Sequence, residues 1–179
     1  DSSVRPSARL NLYVSGAFTD ARYVRFTNAP CPPELSGGTA TAPGGVTDPA
    51  GTAGGRSPAY CDISGQRLPG ISKWAFSYGG EYNIPVGDGA EIYAGYDGNY
   101  RSRFSSNPSP SAYTWIEGYA LSNVRAGYRK DGINVFGWVR NLSDRKYFEL
   151  LSTQSGSTGL IVGQPGDPRT YGVTLSTRF

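Results

Sequence analysis

The stretch Thr170-Tyr171-Gly172-Val173-Thr174-Leu175-Ser176-Thr177-Arg178-Phe179 alternates along its whole length. At a two-residue period Tyr171, Val173, Leu175, Thr177 and Phe179 fall on one face, and Gly172, Thr174, Ser176 and Arg178 fall on the other. Chain ends normally fray into polar residues, yet this one keeps its strand pattern up to an aromatic last residue.

The same period recurs upstream. Leu10, Leu12, Val14, Gly16 and Phe18 alternate with Asn11, Tyr13, Ser15, Ala17 and Thr19, in a first strand expected to run toward Phe26. Residues 27–69 form a long loop without sustained period, containing the Gly-rich run 37–45. Trp74, Phe76, Tyr78, Tyr82 and Ile84 oppose Lys73, Ala75, Ser77, Glu81 and Asn83 in a second strand that ends at a turn over 85–89. Ala90, Ile92, Ala94, Tyr96 and Tyr100 oppose Glu91, Tyr93, Asp97, Asn99, Arg101 and Arg103 in the third. After a loop over 105–111, Val124, Ala126 and Tyr128 oppose Asn123, Arg125 and Gly127, and Asp131-Gly132 signals a hairpin into Ile133, Val135, Gly137 and Val139. Phe136 and Trp138 occupy the nominally polar side of that fifth strand, so its facing stays open. A loop over about 148–167 returns to the terminal strand.

About six long strands with connections alternating long, short, long, short, long match an outer-membrane β-barrel with short turns on one side and long loops on the other. The chain has 179 residues, 37% of them hydrophobic, with 25 Gly and 13 Tyr. That composition is too polar for helical spans but rich in the aromatics of a membrane girdle, and alternation hides barrel strands from hydropathy scans. Seventeen basic and 14 acidic residues are spread along the chain without a basic stripe, which disfavours nucleic acid. No initiator Met precedes Asp1, so the chain is expected to start at a cleavage point or as part of a longer one.

Several segments in order carry a family resemblance. The stretch 119–128 resembles the antepenultimate strand of TonB-dependent receptors. Asn141-Leu142-Ser143-Asp144-Arg145-Lys146-Tyr147 is similar to their NLFDKxY stretch, with Ser143 replacing the aromatic, and Pro168-Arg169-Thr170-Tyr171-Gly172 resembles the start of their last strand. Asn28-Ala29-Pro30-Cys31 and Cys61-Asp62-Ile63-Ser64-Gly65, with Lys73-Trp74 beyond, look like a loop-and-strand unit of such receptors. The resemblance implies that residues 1–179 are the carboxy-terminal part of an antiparallel transmembrane barrel of about 22 strands, whose plug domain and TonB-contacting segment are not in this sequence. It further implies a Gram-negative outer membrane, with the chain end and the turns at Gly89 and Asp131-Gly132 periplasmic, and the loops beginning near Thr27, Ser105 and Phe148 extracellular. Tyr171, Gly172, Val173, Leu175 and Phe179 would then form the assembly signal read by the barrel assembly machinery, and deletion of Phe179 would lower outer-membrane yield.

Zero His, no Gly-x-Ser-x-Gly and no phosphate loop leave catalysis without a foothold, so no enzyme, cofactor or metal site is expected. Cys31 and Cys61 are too far apart for a Cys-x-x-Cys clamp and share one loop of an exported chain, which favours a disulfide. Closing that loop would remove unfolded-state entropy equivalent to about 3.5 kcal/mol. Glu91, Asp97, Arg101, Arg103, Asn123 and Arg125 are the lumen candidates, facing a plug or, alternatively, a ligand. Tyr113, Trp115, Tyr147 and Phe148 are expected as girdle anchors.

The function implied is TonB-dependent uptake of a scarce ligand, such as a siderophore, a cobalamin-like cofactor or an oligosaccharide. The alternatives are a non-transporting structural or adhesive barrel and a secreted carbohydrate-binding β-domain. Partners implied are the remaining strands and plug, outer-membrane lipid and lipopolysaccharide, and TonB through the plug. Leu10, Leu12, Val14, Ile92, Ala94, Tyr96, Val173 and Leu175 should face lipid. Six strands alone would enclose a radius of roughly 6 Å, too narrow for Tyr13, Lys73, Glu81, Tyr93, Arg101, Arg103 and Arg125. The sheet should therefore stay open, with the Leu12 and Val173 strands both paired to strands outside this sequence.

Overall fold

The protein is described by a computed structural model that covers residues 1–31, 60–108, 111–154 and 160–178. Phe179 and the Gly-rich run 37–45 lie outside the described residues. In chain order the strands are β1 (Ser2–Ser7), β2 (Leu10–Phe18), β3 (Ala29–Pro30), β4 (Tyr60–Cys61), β5 (Trp74–Pro85), β6 (Glu91–Arg101) and β7 (Phe104–Ser105). They continue as β8 (Trp115–Ile116), β9 (Tyr119–Lys130), β10 (Ile133–Arg140), β11 (Phe148–Thr153), β12 (Ile161–Pro165) and β13 (Thr170–Thr177). Seven form one antiparallel sheet in the order β1-β2-β5-β6-β9-β10-β13, and the rest pair as β3-β4, β7-β8 and β11-β12.

Pairing register carries one set of side chains across the sheet. Leu10 opposes Tyr82, Tyr82 opposes Ala94, Ala94 opposes Ala126, Ala126 opposes Gly137 and Gly137 opposes Val173. Residues directly opposite share a face, so Leu10, Leu12, Val14, Ile92, Ala94, Tyr96, Val173 and Leu175 all lie together, as the alternation predicts. The same ladders put Phe136 and Trp138 of β10 on the polar face, because they oppose Gly127 and Arg125. Asp131 at φ 48° and Gly132 at φ 80° give the β9–β10 turn two left-handed residues, the geometry of a two-residue type I′ hairpin.

The sequence reading fails at the first edge. β1 pairs with β2, Val4 opposite Leu12, so the Leu12 strand is covered from within the chain and the edge is β1. The sheet does not close: β1 and β13 stand at opposite ends of the strand order. Strand β2 also stops at Phe18 instead of running to Phe26. Between Phe18 and Phe26 the chain forms an isolated bridge, Arg22 to Arg67, in place of a continued strand.

Within the sheet hardly a side chain is buried; one buried cluster belongs to the loops and the other joins loop residues to the start of β9. Ala29, Cys61 and Ile63, with Tyr23 and Phe26 against them, form a small core at the base of the first long loop, where Cys31 and Cys61 are joined by a disulfide. Phe104, Ile116 and Tyr119 form the second with Leu121, Tyr147 and Leu151. The segment read as a loop over about 148–167 contains the β11–β12 hairpin. Tyr147, expected as a girdle anchor, instead packs at a tilt against Tyr119 with 4.5 Å between ring centres, and Trp115 lies half-buried under the Arg103 guanidinium at 4.7 Å. An aromatic row does cross the apolar face at the long-loop end, running Phe18, Trp74, Phe76, Tyr100 with ring centres 4.6, 5.9 and 6.2 Å apart.

Candidate functional site

The polar face carries a ladder of charges across β5, β6 and β9. Arg125 on β9 donates to Asp97 of β6 at 3.2 Å and to Glu81 of β5 at 3.1 Å. It reaches Glu81, two strands away, by lying over Gly95: a Cβ there would stand 2.9 Å from the guanidinium. Arg129 donates to Glu81 and, at 2.8 Å, to Asn83, while its Nε lies 3.0 Å from the Glu91 carboxylate, off the hydrogen-bond direction. The Arg129 guanidinium also covers the Tyr93 ring at 4.1 Å, and Asn123 donates to Asp97 at 2.6 Å. Three carboxylates, Glu81, Glu91 and Asp97, thus surround two guanidiniums. Within this network most of the charge is neutralised, with one carboxylate more than guanidiniums.

Four of the six lumen candidates, Glu91, Asp97, Asn123 and Arg125, meet in this network. Arg101 and Arg103 do not. Arg101 donates to Ser72 Oγ and the Gly70 carbonyl and stacks on Phe104 at 3.7 Å, holding the foot of the first long loop. Arg103 leaves the strand and pairs with Glu117 at 3.0 Å. Arg129 was missed, although the parity of Asn123, Arg125 and Gly127 extends to it. Of the assembly candidates, Tyr171, Val173 and Leu175 line the apolar side of the β13 edge and Gly172 lies under the Trp138 ring.

Above the sheet the loops are tied to each other. Ser106 Oγ donates to the Leu151 carbonyl at 2.6 Å and accepts from the Leu151 amide, and Asn107 donates to Ser152 and Thr153, joining the second loop to the β11–β12 hairpin. The Gly70 amide donates to the Ser105 carbonyl at 2.7 Å, joining the first loop to the second. At the hairpin's root Asn141 and Asp144 are left-handed, at φ 49° and 50°, which short polar side chains tolerate. Asn141 donates to the carbonyls of Arg145 and Asp167 and accepts from the Arg145 amide, while its own amide donates to Asn123. The Asp144 carboxyl is held below its ordinary value of 3.8, first by the Arg169 amide and then by the Lys146 ammonium. Among the described residues no group of His, Cys, Asp and Glu has the spacing to hold a metal.

The family model described as "TonB dependent receptor-like, beta-barrel" matches residues 7–142. No curated protein matches the chain. Among solved structures, the ferric yersiniabactin uptake receptor from Yersinia pestis is similar, with a TM-score of 0.67 and 15% identity over 99% of this chain and 22% of that one. The siderophore receptor PiuA from Acinetobacter baumannii gives 0.62 and 14% over 98% and 20%, and the ferric-catecholate import receptor Fiu from E. coli 0.58 and 18% over 99% and 20%. At these identities the likeness is one of fold, and the chain spans about a fifth of each of those proteins.

Proposed function

The chain belongs to the TonB-dependent receptor-like β-barrel family, and on that premise we propose that it forms part of the wall of an outer-membrane receptor that imports a siderophore-type ferric chelate. The observation that carries this reading is the two-sidedness of the sheet. One face is predominantly apolar from β2 to β13; the other is charged and hydrogen-bonded, as a water-filled or plug-filled lumen requires. The long loops, tied into one rim, would face outward, the tight turns the periplasm. Further strands of the same receptor would pair with the β1 and β13 edges, since open edges are not tolerated in lipid. The charged wall would face the plug, and β13 would be read by the assembly machinery during insertion.

Uptake of radiolabelled ferric chelates by iron-starved cells tests the reading. Accumulation should require both this gene and TonB, and deletion of either should abolish it. A gene deletion that leaves uptake of every chelate unchanged while altering only adhesion or envelope integrity would favour a structural barrel.

A further inference from the structure

Arg22 and Arg67 oppose each other in an isolated antiparallel bridge. The flanking backbone bonds, Leu68 amide to Ala21 carbonyl and Tyr23 amide to Gln66 carbonyl, make this the non-hydrogen-bonded kind of pair, in which side chains stand closest. Like charges directly opposite are unfavourable. A single carboxylate oxygen answers them: Asp20 Oδ1 lies 3.0 Å from Arg22 Nε and 3.9 Å from Arg67 Nε. Arg22 makes one further bond, to the Gly65 carbonyl, so among the described residues two guanidiniums share one acid and one positive charge is left over. Both line a cleft of about 360 Å³ between the first and second loops, together with Tyr23, Ile63 and Trp115. The loops are held by the disulfide-linked cluster and the Gly70–Ser105 bond, so the cleft is built before any ligand arrives.

We propose that this cleft binds a small aromatic carboxylate, its carboxylate on the Arg22–Arg67 pair and its ring between Tyr23 and Trp115. Paired guanidiniums offer planar, forked donors that suit a carboxylate, and the aromatic walls favour a flat ring over an aliphatic acid. The volume suits one substituted ring, so the site takes one arm of a larger ligand or a free aryl acid. It rests on the receptor reading only for the side of the membrane it faces.

The test is calorimetric titration of the intact receptor that contains this chain, purified in detergent with the disulfide intact, using benzoate, acetate and benzyl alcohol as probes. Benzoate should bind saturably, and acetate and benzyl alcohol about tenfold more weakly or not at all. Arg67→Gln should weaken benzoate about tenfold, whereas Asp20→Asn, which frees a guanidinium, should tighten it a few-fold. Amide protection at Tyr23 reports in each variant that the bridge still forms. No saturable benzoate binding, equal binding of the neutral alcohol or of acetate, or weaker binding by Asp20→Asn with the bridge intact would overturn the proposal. Loss of benzoate binding in Arg67→Gln with uptake retained separates the subsite from transport, and absent uptake with benzoate binding intact counts against the receptor reading alone.

Discussion

Glu81 accepts from two guanidiniums that project from the same face of β9, and removing it would leave Arg125 and Arg129 with less negative charge between them. Its side chain is 23% exposed and those of its partners 37% and 40%, so each bridge is only partly screened. Glu81→Ala should cost about 1 kcal/mol in urea unfolding from micelles, and the Glu81→Ala, Arg129→Ala double variant less than the sum of its parts. Additive losses would mean that the wall is not one network. Asp144 gives a pH prediction with a fixed sign. Its carboxyl is depressed in the folded chain, so its contribution is present above pH 3.8 and lost as pH falls below it. Protection of the Arg169 amide should therefore fall below pH 3.8 in the native chain, and be low already at neutral pH in Asp144→Gly, which removes the acceptor and tolerates the left-handed φ of 50°. Unchanged protection in the variant would show that the Asp144–Arg169 bond does not hold the hairpin root.

Among the elements, Gly95 is the position on β6 that lets Arg125 cross to β5. Gly95→Val would place methyl groups where the guanidinium lies and cost about 1–3 kcal/mol as overpacking, and on an Arg125→Ala background the same change should cost much less. Equal costs on both backgrounds would remove the crossing as the reason for glycine there. The ladder itself was not legible in the sequence. Glu81 and Arg125 are 44 residues apart, and only the register Glu81–Gly95–Arg125 makes them neighbours. What could be read was period two, which located β2, β5, β6, β9, β10 and β13 and the faces of five of them. In β10 the aromatics Phe136 and Trp138 blurred the period, and pairing with Gly127 and Arg125 decides it. β1 was missed because Ser2-Ser3-Val4-Arg5-Pro6-Ser7 offers one apolar residue and a proline, and its ladder is irregular between Val4 and Ser7. The β11–β12 hairpin was missed for a different reason. It is held by loop-to-loop bonds such as Ser106 to Leu151, which no local pattern encodes.

At the scale of the whole molecule, no protein packs on the apolar face among the described residues. Leu12, Tyr96 and Val135 in the sheet interior are 38%, 40% and 39% exposed, and Val173 on the β13 edge, flanked on one side only, is 78% exposed. An apolar surface this continuous exceeds what a water-facing sheet carries, and hydrocarbon is the solvent that makes it stable. The most direct test is spin labelling, one cysteine at a time from 91 to 100 along β6, in the intact receptor reconstituted in lipid vesicles, with dissolved oxygen and a water-soluble nickel chelate as collision partners. Oxygen contact should peak at 92, 94, 96, 98 and 100, and nickel contact at 91, 93, 95, 97 and 99. A profile without the two-residue period, or one in which the even positions meet water and the odd ones lipid, would contradict the account.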